Sequence, residues 1–421
     1  MQKRHQLVFL AFLAIFICYM DRVAISVAII PMVEKFGWDL TTQGLVLSSF
    51  FVGYLLLQIV GGKLADRFGG KVVLGFGVLL WSLFTLVTPP AAAFGLTVLI
   101  IVRILMGMGE AVTFPAIFSL YSRWVPLKER ARSASFSNSG IPLGTVFALL
   151  ATPVIVNSLG WEWVFYLFGA SGFLWCIAWH FLITQSPRQN AGISKDELAI
   201  IEADAITTET TPATPWKQLL SNMPVWAIIV AHFCNNWSLY VLLAWLPTYV
   251  NKGLGVDYAS VGYFAMMPHI AMFIFLNVGG SVADRLVKGG MSVTRVRKLM
   301  MTIAFGGIAT SLAVVGLVDD AVTAIAIMTT GSALGAFATS GFFINHMDIA
   351  PEHSGTLMGI TNTAGTIPGI IGVSVSGWIL QTTGSWALLF QVAAGVTLFG
   401  LVFYLIFASG ERQFDKVAPA A

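Results

Sequence analysis

Leu7-Val8-Phe9-Leu10-Ala11-Phe12-Leu13-Ala14-Ile15-Phe16-Ile17-Cys18-Tyr19-Met20-Asp21-Arg22-Val23-Ala24-Ile25-Ser26-Val27-Ala28-Ile29-Ile30 is a hydrophobic run interrupted by an adjacent acid and base. A membrane-crossing helix needs about 20 apolar residues, so the run is long enough to span. An ionised side chain near the bilayer centre costs about 2.5–3.5 kcal/mol on insertion scales. Asp21 and Arg22 therefore need compensation from other helices. The arrangement this predicts is a bundle around a polar cavity, with Arg22 facing into it. Its fixed charge and planar fork suit a carboxylate or phosphate. The expectation is that Arg22 binds an anion and that nearby carboxylates couple its movement to a cation. A structural ion pair of Arg22 with Asp21 or Glu110 is the alternative. Neighbours on a helix point in different directions, which disfavours a direct Asp21–Arg22 pair.

The rest of the 421-residue chain reads the same way. It is 57% hydrophobic and 10% charged, against about 25% charged in globular proteins, and its mean hydropathy is +0.82. Spans are expected near 7–30, 43–65, 72–88, 94–120, 132–156 and 162–184. Six more are expected near 223–250, 259–283, 297–318, 321–345, 355–380 and 385–408. Pro142 and Pro368 are candidate kinks in the fifth and eleventh. The first run follows Lys3 and Arg4 but is too long, and too charged internally, for a cleaved signal.

With the N-terminus in the cytoplasm, eighteen of the 23 Lys and Arg fall in cytoplasmic segments, and Lys35 and Lys252 fall outside. This asymmetry sets the orientation and predicts an even number of spans with both termini inside. Residues 185–222 carry Asp196, Glu197 and Glu202 and then a Thr/Pro-rich stretch. They read as a cytoplasmic linker, helical around Lys195–Ala205 and flexible afterwards. The expected domains are therefore 1–184, a six-helix bundle; 185–222, the linker; and 223–421, a second six-helix bundle.

The halves repeat each other. Gly62-Lys63-Leu64-Ala65-Asp66-Arg67 recurs as Gly280-Ser281-Val282-Ala283-Asp284-Arg285, an offset of 218. Ser137-Asn138-Ser139-Gly140 recurs as Thr361-Asn362-Thr363-Ala364, an offset of 224. Parallel repeats with a site near the midplane are a transporter design.

Gly62 through Lys71, between spans two and three, resembles the signature loop of the major facilitator superfamily. Within it, Tyr19-Met20-Asp21-Arg22-Val23, Gly109-Glu110-Ala111-Val112-Thr113-Phe114-Pro115-Ala116, Arg123-Trp124-Val125-Pro126, Asn345-His346-Met347-Asp348-Ile349-Ala350-Pro351 and Gly359-Ile360-Thr361-Asn362-Thr363 are similar to the anion:cation symporter family. That group includes sialin, vesicular glutamate transporters, plant anion transporters and bacterial sugar-acid transporters. Gly69 through Gly77 resembles the plant branch. The chain departs from the vesicular glutamate transporters at Asn235, where they carry arginine.

The resemblance implies an all-α membrane protein, twelve transmembrane helices in two pseudo-symmetric six-helix bundles. It implies that Asp66, Arg67 and Lys71, with Asp284 and Arg285, form gate latches on cytoplasmic loops. It also implies that Asp21 and Glu110 carry a coupling proton. Arg103 lies seven residues before Glu110, about 10 Å along one helix face, and is expected to set Glu110's proton affinity. A static salt-bridge network is the other reading. Gly107, Gly109 and Ala111 around Glu110 permit close helix approach.

Substrate ligands are expected from Arg22, Tyr19, Tyr54, Asn235, Ser340 and Asn362. Tyr19 shares Arg22's face by its spacing of three. Asn138, Ser139, Asn236, Tyr240, Asn345 and Thr361 are lesser candidates. His269 reads as a satisfied core histidine, and His346 and His353 flank a cytoplasmic loop. Cys18, Cys176 and Cys234 read as buried free thiols.

No nucleophile–base pair, nucleotide loop or metal-spaced cluster stands out, so no enzyme, cofactor or metal is expected. No basic strip with interleaved aromatics points to nucleic acid. The partners expected are a small organic anion such as a sugar acid and a coupling proton, in a monomer within a bacterial inner membrane. Sodium-coupled phosphate transport is the alternative.

Overall fold

The structure is a computed structural model that describes residues 2–203 and 216–414, leaving the side chains of Ile59, Asp66, Leu127, Lys128, Ala131, Ala203 and Glu352 undescribed. Helices make up its regular structure, and twelve helical segments are long and apolar enough to cross a bilayer. The described chain divides into two compact units. The first takes residues up to Trp38 and from Leu45 into the linker, and the second takes Asp39–Gly44 and the C-terminal part.

The first unit contains α1 (Lys3–Phe36), α2 (Leu40–Phe68) from Leu45 onward, α3 (Gly70–Phe94), α4 (Leu96–Ala111), α5 (Thr113–Trp124), α6 (Leu127–Asn138), α7 (Gly140–Leu159), α8 (Trp161–Leu182) and the short α9 (Lys195–Ala203). The fourth span is thus interrupted at Val112, two residues after Glu110. The fifth breaks at Ser139, and Pro142 sits in the first turn of the resumed helix. Proline fits there because first-turn amides have no intrahelical partner. α1 is the most enclosed of the twelve spans and packs along α7 and α8.

The expected loop after span two is no loop. Asp66 and Arg67 belong to α2 and Lys71 to α3, and the connection is Gly69 alone, at φ 83°. That conformation favours glycine, and a Cβ there would also strike the Gln185 side chain.

The second unit contains α10 (Trp216–Ser221), α11 (Met223–Thr248), α12 (Val261–Lys288), α13 (Val293–Val315), α14 (Ala321–Gly335), α15 (Phe342–Ile349), α16 (Ser354–Thr383) and α17 (Trp386–Phe407). Side-chain caps begin three of them. Asn222 accepts from Val225 N at 3.3 Å, Asp320 from Thr323 N at 2.8 Å and Ser385 from Leu388 N at 3.1 Å. Each satisfies an amide that the helix leaves orphaned. α11 packs on α16 and α17, and Val225, Ile228, Met300, Phe305 and Tyr404 lie in the core. α16 runs unbroken through Pro368. Residues 204–215, the flexible part of the expected linker, lie outside the described residues.

The polarity is inverted relative to a protein folded in water. Asp21, Arg103 and Glu110 are at most 1% exposed, whereas Phe181 is 79% and Leu317 70% exposed. Apolar side chains outside and ionisable ones inside are what a hydrocarbon solvent selects.

Candidate functional site

In the first unit α1 turns Cys18, Tyr19, Asp21 and Arg22 into the bundle, all but Tyr19 buried. The Arg22 guanidinium donates to Oε2 of Glu110 twice, from Nη2 at 2.8 Å and Nε at 3.1 Å. The Cys18 thiol donates to the same oxygen at 3.1 Å. Oε1 of Glu110 is buried and has no partner among the described residues. Three rings surround the guanidinium: its carbon lies 4.7 Å from the Tyr19 centroid and 4.9 Å from those of Phe50 and Tyr54. Their negative faces stabilise the cation without consuming hydrogen-bond donors.

Glycine contacts bring α4 this close. A Cβ on Gly107 would strike the Phe50 carbonyl and lie 2.9 Å from Tyr54 N. Gly53 is closed off in the same way by the Ile104 carbonyl. α2 and α4 therefore meet backbone to backbone, which sets both the Phe50 and Tyr54 rings and the Glu110 carboxylate around Arg22. Gly109 approaches α3, where a Cβ would lie 2.9 Å from Trp81 N.

Asp21 has a different environment. Its Oδ1 is buried without a partner, and its Oδ2 lies 3.4 Å from the Thr85 hydroxyl. Thr85 has one hydrogen, and the Trp81 carbonyl 2.9 Å away takes it. The remaining contact therefore suits a protonated Asp21 donating to Thr85 Oγ1. Neither Asp21 nor Glu110 forms an ion pair with Arg103. Arg103 is 1% exposed, donates to Met106 Sδ at 3.1 Å and lies over the Phe50 ring at 5.4 Å. Arg103 thus shares the aromatic wall and stands off the pair.

The other expected ligands fall in the second unit, and no hydrogen bond joins them. The Asn235 amide donates to Asn236 Oδ1 at 3.1 Å, and Asn235 faces a small cavity with Ser238, Met272 and Ser332. Ser340 is buried, and its carbonyl accepts from Arg297 at 3.0 Å. Asn362 is half-buried on α16.

Among the expected gate residues, Arg67 is exposed beside the Phe68 ring, Lys71 is half-buried, and Asp284 and Arg285 are exposed near the end of α12. Asp284 and Arg285 are helical, as Asp66 and Arg67 are, and not in a loop. The Asp66 side chain lies outside the described residues. His346 is buried in α15 and shares the Thr361 hydroxyl with His232. His269 lines a second small cavity in this unit.

Phe50, Cys18 and Thr85 were missed as partners. For two of them the signal was spacing: Phe50 lies four residues before Tyr54 and Cys18 four before Arg22, each on one helix face. Nothing in the sequence marked Thr85.

The family model of the Major Facilitator Superfamily matches residues 11–373. The chain belongs to the major facilitator superfamily. As a member it is a multi-pass membrane transporter. It is 43% identical over 98% of its length to the "Ascorbate transporter, chloroplastic" of Arabidopsis thaliana, covering 76% of that protein. It is also 43% identical over 98% of its length to the "Sodium-dependent phosphate transport protein 1, chloroplastic" of the same organism, covering 80% of it. Identity to human sialin is 38% over 97% of this chain and 90% of sialin. The fold matches the crystal structure of D-xylose-proton symporter with a TM-score of 0.77 at 14% identity, over 96% of this chain and 98% of that one. Superfamily members named as anion transporters surround the chain. These names give no support to the expected bacterial inner membrane, and two of them specify the chloroplast.

Proposed function

We propose that this transporter carries a small organic anion, a carboxylate of sugar-acid type, together with protons by alternating access. The observation that carries the reading is the Arg22–Glu110 pair enclosed by three rings, beside the separately buried Asp21. Glu110 occupies the edge of Arg22 that an incoming carboxylate needs. A proton on Glu110 removes its charge and frees Nε and Nη2. Asp21 sits where its carboxyl is best satisfied as a proton donor, so the two acids differ in protonation by environment, the pattern that separates acid from base. Substrate charge then replaces carboxylate charge on Arg22, and the buried cation is never left unpaired.

Arg103 serves here by fixing the Phe50 ring and adding positive potential. Asn235, Ser340 and Asn362 are secondary ligand candidates. Asp66, Arg67, Lys71, Asp284 and Arg285, at helix ends, remain candidates for gating. A bundle of residues 1–184, a linker of 185–222 and a bundle of 223–421 are the proposed domains.

Sodium-coupled phosphate transport is the second reading, favoured by the 43% identity to a protein named for it. Arg22 suits a phosphate as well as a carboxylate. Uptake of labelled sugar acids, ascorbate and phosphate into proteoliposomes, under an imposed proton gradient and then a sodium gradient, separates the two. Proton-driven carboxylate uptake that disappears in Arg22→Ala supports the first reading. Sodium-driven phosphate uptake replaces it with the second. Accumulation unchanged in Arg22→Ala overturns both.

A further inference from the structure

The second unit holds a buried chain of hydrogen bonds that the anion site does not use. His232 on α11, His346 on α15 and Thr361 on α16 are 5%, 1% and 0% exposed. Thr361 Oγ1 lies 3.2 Å from His232 Nδ1, 2.8 Å from His346 Nε2 and 3.2 Å from the Met358 carbonyl. His346 Nδ1 lies 2.8 Å from the Phe343 carbonyl.

Donor counting fixes the direction of this chain. A carbonyl only accepts, so His346 Nδ1 carries hydrogen. In the neutral ring Nε2 is then bare, and the hydrogen in the 2.8 Å contact comes from Thr361. With its one hydrogen committed, Thr361 Oγ1 offers lone pairs to His232. His232 Nδ1 must therefore be the donor. The order is His232 to Thr361 to His346 to the Phe343 carbonyl.

One added proton reverses the middle of it. Protonated His346 donates from Nε2 to Thr361 Oγ1, and both of its N–H groups still meet oxygen. The Thr361 hydrogen is displaced toward the Met358 carbonyl or toward His232 Nδ1. In the second case His232 shifts its own hydrogen to Nε2. No other covalent bond changes. We propose that His346 is a proton-binding site of the second unit, and that α11 reads its occupancy through the Thr361 hydroxyl and His232.

The surroundings make occupancy conditional. Arg297 on α13 donates to Asp348 on α15 at 2.7 and 3.2 Å, so these charges neutralise each other. α13 also carries Arg295 and Lys298, and α11 carries Cys234 and Tyr240. His353 lies just before α16, and α16 itself has no ionisable side chain. The Glu352 side chain lies outside the described residues. Among the described residues no carboxylate pairs with His346, so a proton there costs desolvation. Occupancy therefore follows the packing of α11, α15 and α16, which share the hydroxyl.

The site is independent of the Asp21–Glu110 reading, and its test reads protons on nitrogen, not transport. The experiment is nitrogen-15 NMR of the full chain in lipid nanodiscs, labelled at its six histidines and titrated between about pH 8 and pH 5. His346→Gln and His232→Gln assign the two rings. The expected result is Nδ1–H on both rings at high pH, followed by protonation of His346 Nε2 with a simultaneous shift of the His232 resonances. In Thr361→Val the His232 response should be lost. Hydrogen on Nε2 of neutral His346, no protonation of His346 by about pH 5, or an unchanged His232 response in Thr361→Val would overturn the proposal. The tautomer measured in the unaltered protein decides the question even where a variant fails to fold.

Discussion

Arg22 tests the distinction between a charge and a fork. Arg22→Lys keeps the charge but gives up two-point recognition and stacking on planar rings. A hydrogen bond between charged partners contributes about 1.5–3 kcal/mol. Losing one should weaken anion affinity roughly 10- to 100-fold, measured as a rise in half-saturating substrate concentration in proteoliposomes. Glu110→Gln separates binding from coupling. Gln keeps an oxygen near the guanidinium but holds no transferable proton. Exchange of labelled for unlabelled substrate should persist in this variant, while accumulation driven by a proton gradient is lost. Full gradient-driven uptake by Glu110→Gln would remove the acid from the coupling step. At this scale the sequence already marked Asp21, Arg22, Arg103 and Glu110, because charges are rare in hydrophobic runs. It did not show that Glu110 alone takes Arg22, since that depends on rotamers and on the depth at which two distant helices meet.

At the scale of elements, the α2–α4 contact depends on Gly107 and Gly53. Gly107→Val forces a side chain into the Phe50 carbonyl, and overpacking of this kind costs about 1–3 kcal/mol. The melting temperature in detergent should fall. Gly62→Ala, where nothing lies within 4 Å, should leave it unchanged or raise it slightly. A second junction ties α1 to α6 and α9. Backbone amides of Lys3 and Arg4 donate to Glu197 at 3.0 and 2.9 Å, and the Arg4 guanidinium donates to Glu129 at 2.9 and 3.1 Å. These hydrogen bonds from Arg4 hold the Glu129 carboxyl below its ordinary value of 4.5. A carboxyl with a depressed folded-state value contributes stability above its unfolded value and loses it as pH falls through the folded one. The melting difference between the unaltered protein and Glu129→Gln should thus be constant near neutrality and vanish in acid below the ordinary carboxylate range. Sequence periodicity located the spans, yet it missed that the signature stretch is helical up to Gly69. A single left-handed glycine turns the chain more tightly than a run of polar residues suggests.

For the whole molecule, coupling and orientation are the properties to measure. A protonophore should abolish substrate accumulation while leaving exchange intact, which a passive channel would not show. Single cysteines placed near Lys3 and near Arg412, in a variant lacking the native three, should be labelled from the cytoplasmic face only. Labelling from opposite faces would contradict an even number of spans. The sequence by itself determined the class of this protein, its twelve spans, its internal repeat and its few buried charges. The physical reason is that the cost of putting polar groups into hydrocarbon is local and can be read residue by residue. Tertiary structure decided who meets whom: Glu110 and three rings on Arg22, Asp21 left to Thr85, Arg103 standing apart, and two histidines sharing one hydroxyl. Apart from Tyr19 on Arg22, those pairings join residues from 15 to 129 positions apart, and they need helices that approach closely enough for side chains to touch.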